Sequence, residues 1–363
     1  MKILHVEAGK HLYGGARQVL YIVGGLAARG IDNLLACPAG SETARQQPAG
    51  VRVLPMKMGG DSDPGLAFRL AGLIRAERPD LVHLHSRRGA DTWGGLAARL
   101  AGVPCVLSRR VDNPESRLAV ALKYRLYDHV ITISEGIRQV LLAEGLAPDK
   151  VSCVRSAVDA TPYLAPVDPA AFRDEFGLRP DALVAGVVAQ LIPRKGHRYL
   201  LAVLPGLLAR HPRLQVLIFG QGPLEAELRA AVDTRGLGGA VHFAGFRHDL
   251  PRWLGGLDLL VHPADMEGLG VSLLQASAAA VPIVTSRAGG LPEAVLDGVT
   301  GLLCPPGDEA ALAAAIDRLA GDPALRARLG AAGRARILAE FSIDAMVDGN
   351  LAIYRHVLET LRK

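Results

Sequence analysis

Residues 257–295, LDLLVHPADMEGLGVSLLQASAAAVPIVTSRAGGLPEAV, hold the pattern from which the fold can be inferred. An apolar run, LDLLVHP, precedes a glycine-containing loop and a helical stretch, and a second apolar run, VPIVTS, follows. This succession is typical of two parallel strands joined by a crossover helix. Glu267, Gly268 and Gly270 therefore follow the carboxyl end of a strand, where open parallel sheets bind their ligands.

The same alternation extends over the whole chain. The predicted strands are KILHV, NLLACP, VRVLP, LVHLH, PCVLS, HVITIS and VSCV in the first half, and ALVAGVVAQL, LQVLIFG, AVHFAGF, LDLLVHP, VPIVTS and TGLLCP in the second. Amphipathic stretches between them predict helices, one of which covers 115–127. The proline-rich segment 158–182 is typical of a linker.

We therefore predict an α/β protein with two doubly wound, Rossmann-like parallel-sheet domains that face a central cleft. The predicted domains cover 1–160 and 161–342, and 343–363 has the apolar spacing of a final helix. The sequence pattern alone leaves open which domain this helix packs against.

The composition is that of a globular protein, with 363 residues, 50% hydrophobic and 21% charged. Apolar runs stay well below the roughly 20 residues that cross a bilayer, so we expect a cytoplasmic protein. The four cysteines are far apart and without a C-x-x-C pair. We interpret them as reduced core residues rather than metal ligands or disulfides.

The charge is unevenly distributed. Residues 1–160 contain 21 basic and 15 acidic residues, a net charge of +6, whereas the remainder has 20 and 21, a net charge of −1. An anionic partner should therefore meet the first half, either a phosphorylated acceptor or an acidic membrane surface. Nucleic acid is not expected as a partner, because only 4% of the residues are aromatic and no basic stretch has interleaved stacking residues.

The segment after LDLLVHP offers a candidate phosphate and sugar site. Gly268, Leu269 and Gly270 would open a helix whose free amides and dipole favour phosphate. Gln275 is eight residues beyond Glu267, about 12 Å and roughly 80° further along a continuous helix. A diphosphate at the helix start could then have its sugar near Glu267 and its ribose near Gln275. The alternative is an ordinary helix start with an acidic residue complementing the dipole.

Two further loops of the second half could contact the same ligand. Arg194 and Lys195 follow the first strand of that half, where paired cations can clamp a diphosphate. Gly220 and Gly222 follow the next strand. The alternatives are a solvated corner for the cations and a tight turn for the glycines.

The first half contributes glycines and histidines. Gly14 and Gly15 stand between a strand and a helix and could present amides to a phosphate, although the dinucleotide-binding spacing is absent. His83 and His85 alternate along one strand and so share a face. We consider His85 either a contact to substrate hydroxyls or a hydrogen-bonded histidine at a strand end.

Seven motifs in this order resemble the family-four glycosyltransferases of the GT-B fold, retaining enzymes that use nucleotide-sugar donors. They are GGARQVL, RKGH, FGQGP, EGLGVSLLQA, VPIVTS, AGGLPEAVLDGVTGLLCPPGD and FSIDAM. The resemblance implies a GT-B protein with the donor site in the second domain and the acceptor site in the first. It also implies that no metal or other cofactor is needed, and that the last helix returns to the first domain.

The resemblance also implies roles for single residues. Lys195 would hold the donor diphosphate with Arg194, Glu267 the hydroxyls of the transferred sugar, the amides of Gly268 to Gly270 the phosphates, and Gln275 the ribose. The family has glutamate where Gln275 stands, so a neutral amide would bind the ribose less strongly.

Two other positions depart from the family pattern. Gln190 replaces an arginine, and Arg194 is close enough in sequence to supply that charge. Arg109 and Arg110 stand where many relatives have a histidine, which suggests an acidic acceptor or direct contact with donor phosphates.

The sequence thus predicts retaining, metal-independent hexosyl transfer from a nucleotide diphosphate sugar to a glycan or glycolipid hydroxyl, in lipopolysaccharide or other cell-surface glycan synthesis. The alternatives are a nucleotide-sugar epimerase and a noncatalytic sugar-nucleotide binding protein. A basic set in the first half would fit a peripheral position on the inner membrane face. Its members are Arg87, Arg88, Arg109, Arg110, Arg117, Lys123 and Arg125.

Overall fold

A computed structural model describes residues 1–12, 14–85, 89–111 and 113–361. They form two compact units, each with its own core. The first unit contains residues 1–157 together with 343–363, and the second contains residues 158–342.

The first unit is built on a seven-stranded sheet in the order β3-β2-β1-β4-β5-β6-β7, and every pairing is parallel. Its strands are β1 (Lys2–Val6), β2 (Asp32–Pro38), β3 (Val51–Met56), β4 (Leu81–Leu84), β5 (Cys105–Arg109), β6 (His129–Thr132) and β7 (Val151–Cys153). The central strands are almost wholly buried. Burial on both faces explains why they read as continuous apolar runs rather than alternating ones.

The second unit has a six-stranded parallel sheet in the order β10-β9-β8-β11-β12-β13. Its strands are β8 (Leu183–Val188), β9 (Leu214–Phe219), β10 (Val241–Gly245), β11 (Leu259–His262), β12 (Ile283–Ser286) and β13 (Gly301–Cys304). Both sheets reverse their strand order once, between β1 and β4 and between β8 and β11. These are the switch points at which doubly wound sheets bind ligands.

Helices cover both sheets. They are α1 (Gly14–Ala28), α2 (Glu42–Arg45), α3 (Gly65–Glu77), α4 (Ala90–Ala101), α5 (Arg117–Lys123), α6 (Glu135–Ala143), α7 (Pro169–Phe176), α8 (His197–Arg210), α9 (Glu225–Thr234), α10 (Leu250–Trp253), α11 (Val271–Ala278), α12 (Leu291–Ala294), α13 (Glu309–Gly321), α14 (Pro323–Glu340) and α15 (Ile343–Thr360). The helix predicted over 115–127 is present but shorter, and its last turn is a 3₁₀ turn. The Ser116 hydroxyl caps α5 by accepting from the amide of Ala119, and the helix passes into a 3₁₀ turn at Tyr124–Leu126.

Helix α15 packs on the first unit. Val347 and Tyr354 are fully buried among residues of β1, α1 and β4, including Ile3, Ile22 and Leu81. The Tyr354 hydroxyl is 2.6 Å from Nδ1 of His83 on β4. This helix therefore adds an apolar face and a buried polar contact to the first unit.

The prediction of two doubly wound parallel sheets is confirmed. None of the described helices has both the length and the apolar character needed to cross a membrane. None of the four cysteines, all of which lie among the described residues, forms a disulfide bond, and Cys37, Cys105 and Cys304 are buried.

Candidate functional site

The switch point of the second unit brings Lys195 and Glu267 together. Lys195 ends a 3₁₀ turn, Pro193–Lys195, after β8, and Glu267 lies in the loop after the neighbouring strand β11. The two loops are packed backbone to backbone. Gly196 has a φ of 71°, and a Cβ added there would lie 1.9 Å from the carbonyl oxygen of Pro263. Only glycine permits this approach, which fixes Lys195 beside Glu267.

Three donors converge on the Glu267 carboxylate. Lys195 Nζ is paired with Oε2, and His262 Nε2 lies 3.3 Å from the same oxygen. The amide of Gly268 donates to Oε1 at 3.1 Å. Burial alone would raise the pKa of Glu267, but the His262 hydrogen bond and the Lys195 charge outweigh it and hold that pKa well below its usual range. Glu267 is therefore an ionised hydrogen-bond acceptor at neutral pH.

Neutral histidines surround this pair. Burial lowers the pKa of His262, although the hydrogen bond to Glu267 opposes this. A carboxylate can only accept, so Nε2 of His262 carries the proton. Burial, reinforced by His262 and Lys195, lowers the pKa of His197 to about 4. Lys195 is consequently the cation closest to Glu267 in this group.

Arg194 is half-buried beside Lys195, and its carbonyl accepts from the amide of Asp265 at 2.9 Å. The Asp265 side chain in turn accepts from Tyr199 at 2.8 Å and pairs with Arg198 at 2.7 Å. These contacts tie the 3₁₀ turn to the loop before Glu267. The backbone of both predicted cations is thus held by the chain itself.

The predicted helical geometry between Glu267 and Gln275 is wrong. Helix α11 begins at Val271, after Gly270 in a left-handed conformation with a φ of 83°, so Glu267 precedes the helix. Gln275 is half-buried in the middle of α11, and Leu269 is buried. The Gly268 amide is already used by Glu267. The helix start therefore offers fewer free amides than the sequence suggested.

Gly220 and Gly222 allow close backbone packing. A Cβ on Gly220 would lie 1.9 Å from the carbonyl oxygen of Ala189, and one on Gly222 would lie 2.5 Å from that of Leu191. The loop after β9 is thereby pressed onto the end of β8. Gln190, between these two contacts, is exposed.

The switch point of the first unit opens into a cavity of about 320 Å³. Its lining includes Glu7 after β1, His85 after β4, Gly15 on α1 and Arg110 after β5. Gly14 begins α1, and the Arg110 side chain passes 3.7 Å from where a Cβ on Gly15 would be. Of the predicted site residues, Gly15, His85, Arg109 and Arg110 therefore line this cavity.

The adjacent arginines have different surroundings. Arg109 is buried, pairs with Glu115 at 3.0 Å and donates to the carbonyls of Val111 and Asn113. Arg110 donates through Nε to the carbonyl of His85 at 3.2 Å and through Nη2 to its Nδ1 at 3.4 Å. Burial lowers the pKa of Arg110, with Glu7 opposing. This leaves Arg110 as the acceptor-side candidate of the two, since Arg109 holds its own loop.

The other residues of the predicted basic set also differ in their surroundings. Lys123 is paired internally with Asp91 at 2.8 Å and with Glu115 at 3.1 Å. Arg117 and Arg125 are exposed. Arg87 and Arg88 lie outside the described residues.

His5, His83 and His85 form a buried group whose nitrogens are close enough to hold a metal ion. The chain itself satisfies these nitrogens. His5 Nδ1 is 2.8 Å from His85 Nε2, and His83 bonds Tyr354 at 2.6 Å and Ser108 at 2.8 Å. Hydrogen bonds therefore account for the cluster without an ion. His85 is both hydrogen-bonded and part of the cavity wall.

The sequence analysis missed His262 and His5 as members of these sites. His262 is the last residue of β11, the strand that precedes Glu267. His5 on β1 is the register partner of His83 on β4. The apolar runs around both residues favoured a purely structural interpretation. Only the strand order, which sequence pattern does not give, places them at switch points.

Comparisons with known proteins find relatives of both units. Models of "Glycosyltransferase Family 4" and "Glycosyl transferases group 1" match residues 13–161 and 169–336. Glycogen synthase of Mycobacterium tuberculosis is 32% identical over 80% of this chain and 72% of its own length. The lipopolysaccharide core biosynthesis glycosyltransferase LpsE of Rhizobium meliloti is 26% identical over 97% of this chain and 98% of its own.

A solved structure extends the likeness to the whole fold. Anabaena Alr3699/HepE, in complex with UDP and glucose, has a TM-score of 0.86 at 22% identity, covering 98% of this chain and 100% of that chain. The predicted GT-B class is thereby confirmed for the two α/β units. On the identity and coverage of its relatives, the chain belongs to the family 4 glycosyltransferases.

Proposed function

We propose that this glycosyltransferase moves a hexose from a nucleotide diphosphate sugar to an acceptor hydroxyl with retention of the anomeric configuration. The observation that carries the proposal is the Lys195–Glu267 pair at the switch point of the second unit. An ammonium group suits a diphosphate, and a permanently ionised carboxylate suits the hydroxyls of a sugar. One pair of residues thus matches both parts of the donor.

In the proposed reaction, the donor exchanges the internal ion pair for its own contacts. Sugar hydroxyls donate to Glu267, and the diphosphate accepts from Lys195 and Arg194. The bond between the anomeric carbon and the phosphate oxygen breaks as the acceptor oxygen attacks from the same face. The departing phosphate oxygen takes the acceptor proton, so the low pKa of Glu267 fits a sugar-binding role rather than that of a general acid.

We propose that the two cations stabilise the leaving diphosphate without a metal or cofactor. Transfer should therefore proceed unchanged in EDTA. A loss of activity in EDTA that Mg²⁺ or Mn²⁺ restores would contradict this part of the proposal.

The donor that we propose is a uridine diphosphate hexose. The support is the likeness to Alr3699/HepE, which was solved with UDP and glucose. A thermal-shift panel of uridine, guanosine and adenosine diphosphate sugars tests this, since a ligand at a hundredfold over its Kd adds about 2.7 kcal/mol of stability. NMR of the same donors without acceptor separates transfer from epimerisation, and the anomeric signal of the product reports retention.

We propose an anionic glycan or glycolipid acceptor, such as a lipopolysaccharide core. Arg110 in the first-unit cavity, the net charge of +6 on residues 1–160 and the relative LpsE support it. Phosphorylated and dephosphorylated core oligosaccharides should differ in KM, with the phosphorylated form lower. Equal KM values would contradict an anionic acceptor.

We further propose that the protein works at the cytoplasmic face of the inner membrane. Leu118 and Leu122 on α5 are 70% and 57% exposed, and Arg117 and Arg125 lie beside them. Exposed apolar side chains flanked by cations suit an anionic lipid surface. Flotation with anionic vesicles should decrease in the double variant Leu118→Ser, Leu122→Ser. Absence of wild-type binding at both low and moderate salt would remove the membrane contact.

A further inference from the structure

Four side chains of the first unit form a continuous hydrogen-bond chain from the sheet interior to the cavity wall. Asn33 Oδ1 is 3.1 Å from His5 Nε2, His5 Nδ1 is 2.8 Å from His85 Nε2, and His85 Nδ1 is 3.4 Å from Arg110 Nη2. Asn33, His5 and His85 are almost completely buried. Asn33 lies on β2, His5 lies on β1 and His85 directly follows β4, so the parallel pairing of these strands brings the three side chains together.

The direction of every bond in this chain is determined from both ends. A guanidinium can only donate, so His85 Nδ1 must accept from Arg110, and Nε2 of His85 then carries the proton. At the other end, the Asn33 amide nitrogen donates to the carbonyl of Ile31 at 2.7 Å. The Asn33 oxygen therefore faces His5 and can only accept. The two ends require the same tautomer of His5, with the proton on Nε2.

We infer that Asn33 and His5 are positioning residues that lock His85 with a lone pair on Nδ1, and that this lone pair and the His85 carbonyl fix the Arg110 guanidinium at the cavity wall. The consequence for transfer is that Arg110 is oriented before the acceptor arrives. This consequence rests on the proposed function, in which the anionic acceptor enters the cavity. The locked tautomer does not depend on it.

Protonation of the His5 or the His85 imidazole would disrupt this hydrogen-bond chain. An added proton on His85 would put a donor against the donor of Arg110, and one on His5 would put a donor against Nε2–H of His85. Burial lowers the pKa of His5 to about 4 and that of His85 far below its usual range, and His83 and Arg110 add to the effect on His85. Glu7 and Tyr354 are the other titratable groups nearby. Both rings are therefore neutral at physiological pH.

The tautomers can be measured directly by NMR of the full-length protein labelled with ¹⁵N-histidine. The expected spectrum has His85 with an unprotonated Nδ1 and a protonated Nε2, unchanged between pH 6 and 8. His85→Gln and His5→Gln spectra assign the two rings. A protonated Nδ1 on His85, or a doubly protonated ring in this range, would overturn the inference.

Variants at Asn33 test the positioning role. Asn33→Leu removes the acceptor, so the His85 tautomer should become mixed. Exchange of the Arg110 Nε proton should accelerate roughly tenfold, the equivalent of about 1.4 kcal/mol. Asn33→Gln retains both an acceptor oxygen for His5 and an amide donor for the carbonyl of Ile31, and it should restore the wild-type spectrum. His129→Leu is the matched control. It removes the hydrogen bond between a different buried histidine and Ser152, at 2.9 Å, which is not part of the Asn33–His5–His85–Arg110 hydrogen-bond chain.

The kinetic test compares the KM for the acceptor with the KM for the donor, using the uridine diphosphate hexose and the phosphorylated core oligosaccharide proposed above. Asn33→Leu should raise the acceptor KM while the donor KM stays unchanged. If Asn33→Leu left the His85 tautomer and the Arg110 exchange unaltered, the positioning role would be refuted. If Asn33→Leu does not fold, the wild-type and Asn33→Gln spectra decide. A correct tautomer in a protein without transferase activity would refute the proposed function alone.

Discussion

Each unit holds a cation at its switch point, but the two cations have different partners. Lys195 in the second unit is paired with the Glu267 carboxylate, whereas Arg110 in the first donates to the neutral carbonyl and ring nitrogen of His85. A carboxylate offsets the charge of its partner, and a neutral acceptor orients a cation without offsetting it. One fold can therefore hold a cation either by direct pairing with a carboxylate or by hydrogen bonds to neutral acceptors.

The difference follows from the residues that end the strands. β11 ends in His262 and is followed by Glu267, so a carboxylate reaches the loop after β8. β4 is followed by His85, and burial keeps that ring neutral beside Arg110. In our proposal, the second unit binds a donor with both a diphosphate and hydroxyls, and the first binds an anionic acceptor. Substitutions of Lys195, Glu267 and Arg110 should distinguish the cation paired with a carboxylate from the cation bonded to neutral acceptors.

The largest expected effect is at Glu267. Glu267→Ala should abolish transfer, because the sugar loses its acceptor and Lys195 is left buried without a counter-charge. Glu267→Gln retains the shape and the His262 contact, yet kcat should still fall at least about a hundredfold. Steady-state rates with the preferred donor measure both. Full turnover in either variant would contradict the role of the pair.

Lys195→Ala should raise the donor KM, lower kcat and destabilise the protein by about 3 kcal/mol at neutral pH, since a buried carboxylate loses its cation. The stability effect should depend on pH. The folded-state pKa of Glu267 is depressed, so its contribution is fully present above its unfolded pKa of about 4.5 and is lost as pH falls below that value.

The difference in free energy of unfolding between wild type and Lys195→Ala should therefore narrow below pH 4.5. Urea titrations at pH 7 and pH 3.5 measure it. Arg110→Ala is the matched control, because the hydrogen bonds of Arg110 go to neutral acceptors and Glu7 adds a coulombic attraction, so its destabilisation should change less between these two pH values. An undiminished Lys195→Ala difference at the lower pH would speak against the ion pair.

The adjacent arginines give the next prediction. Arg109→Ala removes the partner of Glu115 and two carbonyl contacts from a buried position, so the free energy of unfolding should fall by about 2–4 kcal/mol. Arg110→Ala should lower it by less than about 1 kcal/mol but raise the acceptor KM roughly tenfold, about 1.4 kcal/mol of binding. Urea denaturation and acceptor kinetics on both variants test this assignment. A larger loss of stability in Arg110→Ala and a larger rise in acceptor KM in Arg109→Ala would contradict it.

A smaller effect is expected at the far end of the histidine group. Tyr354→Phe leaves Nδ1 of His83 buried without its partner on α15, which should cost about 1–2 kcal/mol. The donor KM should remain at the wild-type value, because Lys195 and Glu267 belong to the other unit. Thermal unfolding together with donor kinetics checks both statements. A change in donor KM would show that the two sites are coupled.

The sequence was sufficient to predict the two parallel sheets, because buried strands appear as continuous apolar runs separated by helical patterns. It also identified Lys195, Glu267 and Arg110 as candidates, because their residue types suit a diphosphate, a sugar and an anion. It could not separate Arg109 from Arg110, since neighbouring residues of one type differ only in which partners the tertiary structure supplies. The distance from Glu267 to Gln275 was predicted along a continuous helix, because the left-handed Gly270 that delays the helix start is not visible in a propensity pattern.

The smallest expected effect is a gain of donor affinity in Gln275→Glu. Gln275 stands half-buried on α11, four residues after the helix starts. A carboxylate accepts a hydrogen bond from a ribose hydroxyl more strongly than an amide oxygen does, by about 1 kcal/mol. The donor KM should consequently fall roughly fivefold, with kcat unchanged. A donor whose ribose lacks the 2′- and 3′-hydroxyls serves as the control, because its KM should not improve in the variant. If that analogue gained equally, the added charge would act on the helix or the site in general, and the ribose contact would have to be assigned to another residue.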